Sequence, residues 1–138
     1  MKLLGLDVGT VRIGIATSDV LQILATPLET YKRRTLYLDD RYIVELAQKL
    51  QISTIVVGLP LKLDGTEGDS ALMARQLANK IAEHTSLPIV FQDERLSTVS
   101  AERILIETGT RRKERKGQVD QIAATIILQN YIDKTNHK

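Results

Sequence analysis

The chain has 138 residues, long enough for one domain over residues 1–138 to bury roughly two thirds of its unfolded surface without disulfides or a structural metal. Hydrophobic residues at 43% and charged residues at 26% are ordinary for a globular protein, and no apolar run approaches the ~20 residues that a bilayer span requires, so no membrane role is expected. The absence of cysteine excludes disulfides, thiolate zinc sites and cysteine nucleophiles, and the net charge of +2 by itself favours no partner.

Lys2 runs straight into "LLGLDVG", a stretch with an aspartate and no small-residue cleavage site. It does not read as a secretion signal, and the protein is expected in the cytoplasm. "KLLGLDV" and "RIGIATS", joined through Gly9-Thr10-Val11, predict a β-hairpin, and a third strand follows near "ATPLETYK". Tyr42, Ile43, Leu46, Ala47 and Leu50 recur at helical intervals behind an Asp39-Asp40 start. "STIVVGLPL" lacks polar alternation, as expected of a parallel strand covered on both faces. The loop "LDGTEG" leads to a helix carrying Ala74, Leu77, Ala78 and Ile81 on one face. "LPIVFQDE" repeats the buried-strand pattern, and Ser97 or Thr98 caps a predicted helix to about Thr108. A basic loop is expected from Thr110 to Gly117, then a last helix with "VDQIAATIILQNYI".

Three strands followed by alternating helices and strands predict an α/β mixed sheet, antiparallel at one edge and parallel beyond, with helices on both faces. Ligands of such sheets collect outside the carboxyl ends of the parallel strands. Asp7 in the first strand, Asp93-Glu94 closing the last strand and Asp120 in the expected first turn of the last helix all qualify. Singly, each has a bland explanation: amide hydrogen bonds for Asp7, a strand-end turn for Asp93-Glu94, the helix dipole for Asp120. Together, acids delivered to one face from separate elements repel unless a cation intervenes. Carboxylate oxygens suit Mg²⁺ or Mn²⁺, and two such ions ~3.5 to 4 Å apart hydrolyse phosphodiesters.

"GLDVGTVRIGIATSD", "VVGLPLKLDGTEG", "DERLST" and "KGQVDQIAATIILQNYID" together resemble the YqgF family, also called RuvX, of the ribonuclease H-like superfamily. The resemblance spans Leu4 to Asp133 in four ordered motifs. It implies a ribonuclease H-like fold and a metal-dependent nuclease, with members described as maturing the 5′ end of pre-16S ribosomal RNA or as candidate Holliday junction resolvases. Asp7, Glu94 and Asp120 match the family's catalytic and metal-binding acids, with Asp93 as a supporting acid. The family pattern is not followed everywhere: Val11 and Lys62 replace residues more often lysine and asparagine, and Gly58-Leu59-Pro60 stand where related resolvases carry a glutamate.

Gly9 and Thr10 leave room for a nucleic-acid backbone, and Arg12, Arg95, Arg111, Arg112, Lys113, Arg115 and Lys116 are candidate phosphate contacts. Arg12 and Arg95 serve equally well as structural ion pairs, and a basic run such as Lys32-Arg33-Arg34 is more often a solvated face. The expected partner is a nucleic acid, precursor rRNA or branched DNA, met by a monomer or weak homodimer. One rival, an actin-like ATPase or sugar kinase, shares the aspartate followed by a glycine-threonine turn but needs a second lobe. Another, a non-catalytic ribosome-assembly module that binds RNA, gains nothing from acids that repel phosphate.

Overall fold

The structure, a computed structural model, describes residues 1–93 and 112–136, the side chains of 112–118 excepted. Strands β1 (Lys2–Val8) and β2 (Arg12–Ser18) form the expected antiparallel hairpin, with Asp7 opposite Gly14. β3 (Ala25–Lys32) pairs antiparallel to β2 at the sheet edge. On the other side of β1 lie β4 (Ile52–Leu59) and then β5 (Ile89–Asp93), both parallel. The order β3-β2-β1-β4-β5 is the mixed sheet that the element order predicts.

Strand alternation divides the core in two. Leu4, Leu6, Val8, Ile13, Ile15, Ile55 and Val57 face α1 (Leu36–Lys49) and α2 (Asp69–His84), meeting Ile43, Ala47, Ala74, Leu77 and Ile81. Leu3, Ala16 and Val56 point the other way, against Ala124, Ile127, Leu128 and Ile132 of α3 (Arg112–Asn136). Each fully buried leucine or isoleucine contributes about 1.5 to 3 kcal/mol, so both helical layers are held by apolar burial. No helix among the described residues is long and apolar enough to cross a membrane.

Two element boundaries differ from expectation. α1 begins at Leu36, not Asp39, because the Thr35 hydroxyl accepts the Leu38 amide at 3.2 Å and caps the first turn. Asp39 and Asp40 are accordingly not starting residues but buried ones, 1% and 0% exposed. Asp39 accepts hydrogen bonds from the Tyr31 hydroxyl, Arg33 Nε and the Arg34 amide, at 2.9, 2.9 and 2.8 Å. Three donors compensate the lost hydration of that carboxylate.

The second difference concerns the basic run. Residues 112–117 are not a loop but the opening of α3. Arg, Lys, Glu and Gln are strong helix formers, and together they outweigh the ~1 kcal/mol that Gly117 costs inside a helix. Asp120 therefore lies in the third turn, beyond the reach of the helix dipole, and something else must explain its place.

Candidate functional site

The register of the sheet aligns a row of residues on the α3 side. Leu6 pairs with Val57, and Val57 with Phe91. One residue further along each strand stand Asp7, Gly58 and Gln92, with Gly14 opposite Asp7 on β2. Alternation turns all four toward α3, since Val56 and Val90 on the same faces pack against that helix. The row thus reads Gly14, Asp7, Gly58, Gln92. Asp7 itself is half-buried.

α3 closes on this row through backbone contact. A Cβ placed on Gly14 would lie 1.9 Å from the Asp120 carbonyl oxygen, and one on Gly5 would lie 2.9 Å from Leu128 Cβ. Only the absence of side chains at both positions lets the helix settle so deeply. Since Asp7 is the cross-strand neighbour of Gly14 and Asp120 rests on it, both acids border the same glycine. Arg12 completes the corner by donating from Nε to Asp120 Oδ2 at 2.6 Å. With the Arg12 and Asp120 side chains 37% and 21% exposed, this pair orients the carboxylate more than it stabilises the fold.

The turn after Asp7 is held from two directions. The Gly9 amide donates to the Arg12 carbonyl at 2.9 Å, and a Cβ at Gly9 would approach that same oxygen to 2.8 Å. Arg33 Nη1 donates to the Gly9 carbonyl at 3.0 Å, while the Arg33 amide donates to the Val11 carbonyl at 2.8 Å. Gly9 thus serves a close approach within its own turn, and Thr10 stands exposed at the tip. Beyond β4, the "GTEG" loop is tied to α2, Arg75 Nε and Nη2 meeting the two oxygens of Glu67 at 2.6 and 2.8 Å. The hydrogen bond from Arg75 holds the Glu67 carboxyl below its usual range.

Glu94, Arg95 and Arg111, and the helix expected between Ser97 or Thr98 and Thr108, lie outside the described residues. Arg112, Lys113, Arg115 and Lys116 are placed on the first two turns of α3. Asp93 shares the alternation of Ile89 and Phe91, which pack with the α1 and α2 core, so it stands on the opposite side of the sheet from Asp7. Gln92 was not anticipated from the sequence. Its Oε1 is buried without a hydrogen-bond partner among the described residues. Its signal was its alternation with Val90, two residues before it.

Among the described residues no three acids or histidines come within reach of one metal ion. Two carboxylates and the orphaned Gln92 oxygen do share the α3 face, and this all-oxygen donor set fits a hard divalent cation. A buried polar oxygen without a partner costs about 1 to 3 kcal/mol, which a cation or its water ligand would recover.

Residues 1–134 match the RuvX family, described as Holliday junction resolvase. The chain is 44% identical over 135 residues to a protein of Ruegeria sp. (strain TM1040) named "Putative pre-16S rRNA nuclease", covering 98% of this chain and 86% of that one. A protein of the same name from Syntrophomonas wolfei is 45% identical over 133 residues, with 96% and 94% covered. Among solved structures, Thermus thermophilus RuvC in complex with a Holliday junction superposes with a TM-score of 0.61 at 13% identity, covering 99% of this chain and 97% of that one. The Fowlpox virus resolvase bound to junction DNA gives 0.57 at 9% identity, covering 98% and 99%. At such identities the two structures establish the likeness of fold.

Proposed function

Because the chain belongs to the RuvX family, we propose that it is a divalent-metal-dependent nuclease that hydrolyses phosphodiester bonds in the 5′ maturation of pre-16S rRNA. The observation that carries this reading is the meeting of Asp7 and Asp120 around Gly14, on the α3 side of the sheet. Asp7, Asp120 and, two residues beyond Gln92, Glu94 are the proposed ligands of Mg²⁺ or Mn²⁺. Asp93 is left out of this set, being on the far side of the strand. When bound, such cations activate water and stabilise the departing oxygen.

The chain's own residues hold the reacting groups. Gly14 seats the backbone of Asp120, and Arg12 fixes one oxygen of its carboxylate. That guanidinium also presents positive charge at the rim, where a phosphate would lie. Gly9 and Arg33 keep the turn closed, so that the backbone beyond Asp7 does not obstruct an incoming strand.

The names of the relatives favour ribosomal RNA, whereas the family description favours branched DNA. Cleavage of a 5′-extended pre-16S fragment and of a four-way DNA junction, each with Mg²⁺ and with Mn²⁺, tests both. Metal-dependent cleavage of the RNA at the mature end is the expected result. Cleavage of the junction alone would assign the second reading, and inertness toward both would leave a non-catalytic assembly module.

A further inference from the structure

Beyond the turn that carries Arg12, the end of edge strand β3 and the first turns of α1 enclose a groove of about 750 Å³. That lies within the ~300 to 1,000 Å³ range of ligand sites. Lys32, Arg34, Arg41 and Tyr42 are among its lining residues. Two of the chain's four tyrosines, Tyr31 and Tyr42, line it, and a third, Tyr37, stands one turn before the lining Arg41 on α1. The rings of Tyr31 and Tyr42 stack at 4.3 Å and 20°. Each hydroxyl donates to a carboxylate, Asp39 for Tyr31 and Glu29 for Tyr42, so both rings are fixed in place. Tyr37, 57% exposed, carries the Arg41 guanidinium 5.2 Å above its ring.

The charges are arranged unevenly. Asp39 is buried and satisfied by three donors, and Arg33 is committed to Asp39 and the Gly9 carbonyl. The exposed cations are Lys32, Arg34 and Arg41, with Glu45 the lining carboxylate. Lys32 is the cross-strand partner of Arg12, whose guanidinium holds Asp120. The groove lies on the α1 side of the sheet and the acids on the α3 side, and the Arg12–Lys32 pair carries positive charge along the edge between them.

We propose that this groove binds a single-stranded stretch of the polynucleotide whose neighbouring bond lies at the Asp7 and Asp120 face. Lys32, Arg34 and Arg41 contact its phosphates, and the Tyr37–Arg41 platform stacks a base. An exposed ring beside several cations is the combination that single-strand binders use, since every base offers a π-face and every nucleotide a charge. An acidic peptide would satisfy the cations but would leave the exposed ring without a stacking partner. The proposal rests on the nuclease reading for its substrate, yet its test is separable.

The test measures fluorescence anisotropy of a short labelled RNA strand, and of the DNA strand of the same sequence, in Ca²⁺ at several salt concentrations. The protein is compared with Arg34→Gln plus Arg41→Gln, and separately with Tyr37→Ala. Losing two phosphate contacts should flatten the slope of log affinity against log salt by about 1.4. Tyr37→Ala should weaken binding at least about fivefold at constant salt. The strand bound more tightly, RNA or DNA, identifies the sugar preferred. Unchanged affinity and slope in both variants would overturn the proposal, as would failure of the unaltered protein to bind either strand. So would polyglutamate displacing the strand from Tyr37→Ala and the unaltered protein equally well, which would mark a plain anion site. Cleavage of a precursor RNA or junction by the unaltered protein, alongside any of these failures, would leave the nuclease reading standing and remove the groove alone.

Discussion

Gly14→Ala is the substitution for which the structure predicts the largest effect per atom added. The new methyl would sit 1.9 Å from the Asp120 carbonyl oxygen, against the 3.4 Å at which ordinary contact begins, a shortfall of 1.5 Å. The obstacle is helix backbone, so no side-chain rotation relieves it, and α3 must lift. Overpacking of this kind costs about 1 to 3 kcal/mol, and a rigid helix places it at the upper end. For a chain of this length each kcal/mol moves Tm by roughly 3 to 5 °C, giving a fall of about 10 to 15 °C by calorimetry. Lifting α3 also carries Asp120 from Asp7 and from Arg12, and a displacement of ~1 Å at a reacting centre costs about a hundredfold in rate. Gly5→Ala is the control, because its nearest obstacle is Leu128 Cβ at 2.9 Å, away from the acids. Its clash with the same helix is 1.0 Å milder, so it should lower both Tm and turnover by less. If Gly14→Ala melts and turns over like the unaltered protein, α3 is not seated on β2 as described, and the pairing of Asp7 with Asp120 falls with it.

Asp7→Asn should reduce metal-dependent cleavage by more than the ~10 to 100-fold typical of residues that merely support a ligand, with the far-ultraviolet circular dichroism unchanged; undiminished turnover would remove Asp7 from the site. Arg12→Gln should change stability by less than ~1 kcal/mol, since the pair it breaks is partly exposed. Because Arg12 orients Asp120, the variant should weaken Tb³⁺ binding followed by luminescence and slow cleavage, and tighter Tb³⁺ binding would show that Arg12 competes with the cation instead. Burial and hydrogen bonds to Asp39 and Glu29 push the Tyr31 and Tyr42 hydroxyls up to about 12 from 10.0. Because the folded state prefers the neutral phenol, this stabilisation is complete below pH 10 and is lost as pH rises through about 12. Tm should therefore fall more steeply across that window than in a variant with Tyr31→Phe and Tyr42→Phe, and identical slopes would refute the fixed-ring description.

Much of the architecture is written in local pattern. Residues 2–8, 12–18 and 53–59 carry the apolar signature of covered strands, and the spacing of Ala74, Leu77, Ala78 and Ile81 that of a helix face, because periodicity records which side of an element avoids water. Asp7 and Asp120 each have a bland local explanation, and it is their company with Asp93-Glu94 and the family resemblance that nominate them. Local pattern misjudged the ends of helices: a hydroxyl at Thr35 starts α1, while Asp39 and Asp40, which resemble starting residues, are drawn inside by Arg33, Tyr31 and His84. It also took the charged opening of α3 for a loop, since charge is compatible with either state. What only the tertiary structure decided is which residues meet. Arg12 and Asp120 are 108 positions apart, and Gly14 matters for a helix that begins 98 residues later, at Arg112. Tyr31 and Tyr42, eleven positions apart, line one groove only when β3 lies beside α1. Such pairings depend on a few tenths of an ångström of packing between distant segments, a quantity that no short stretch of sequence contains.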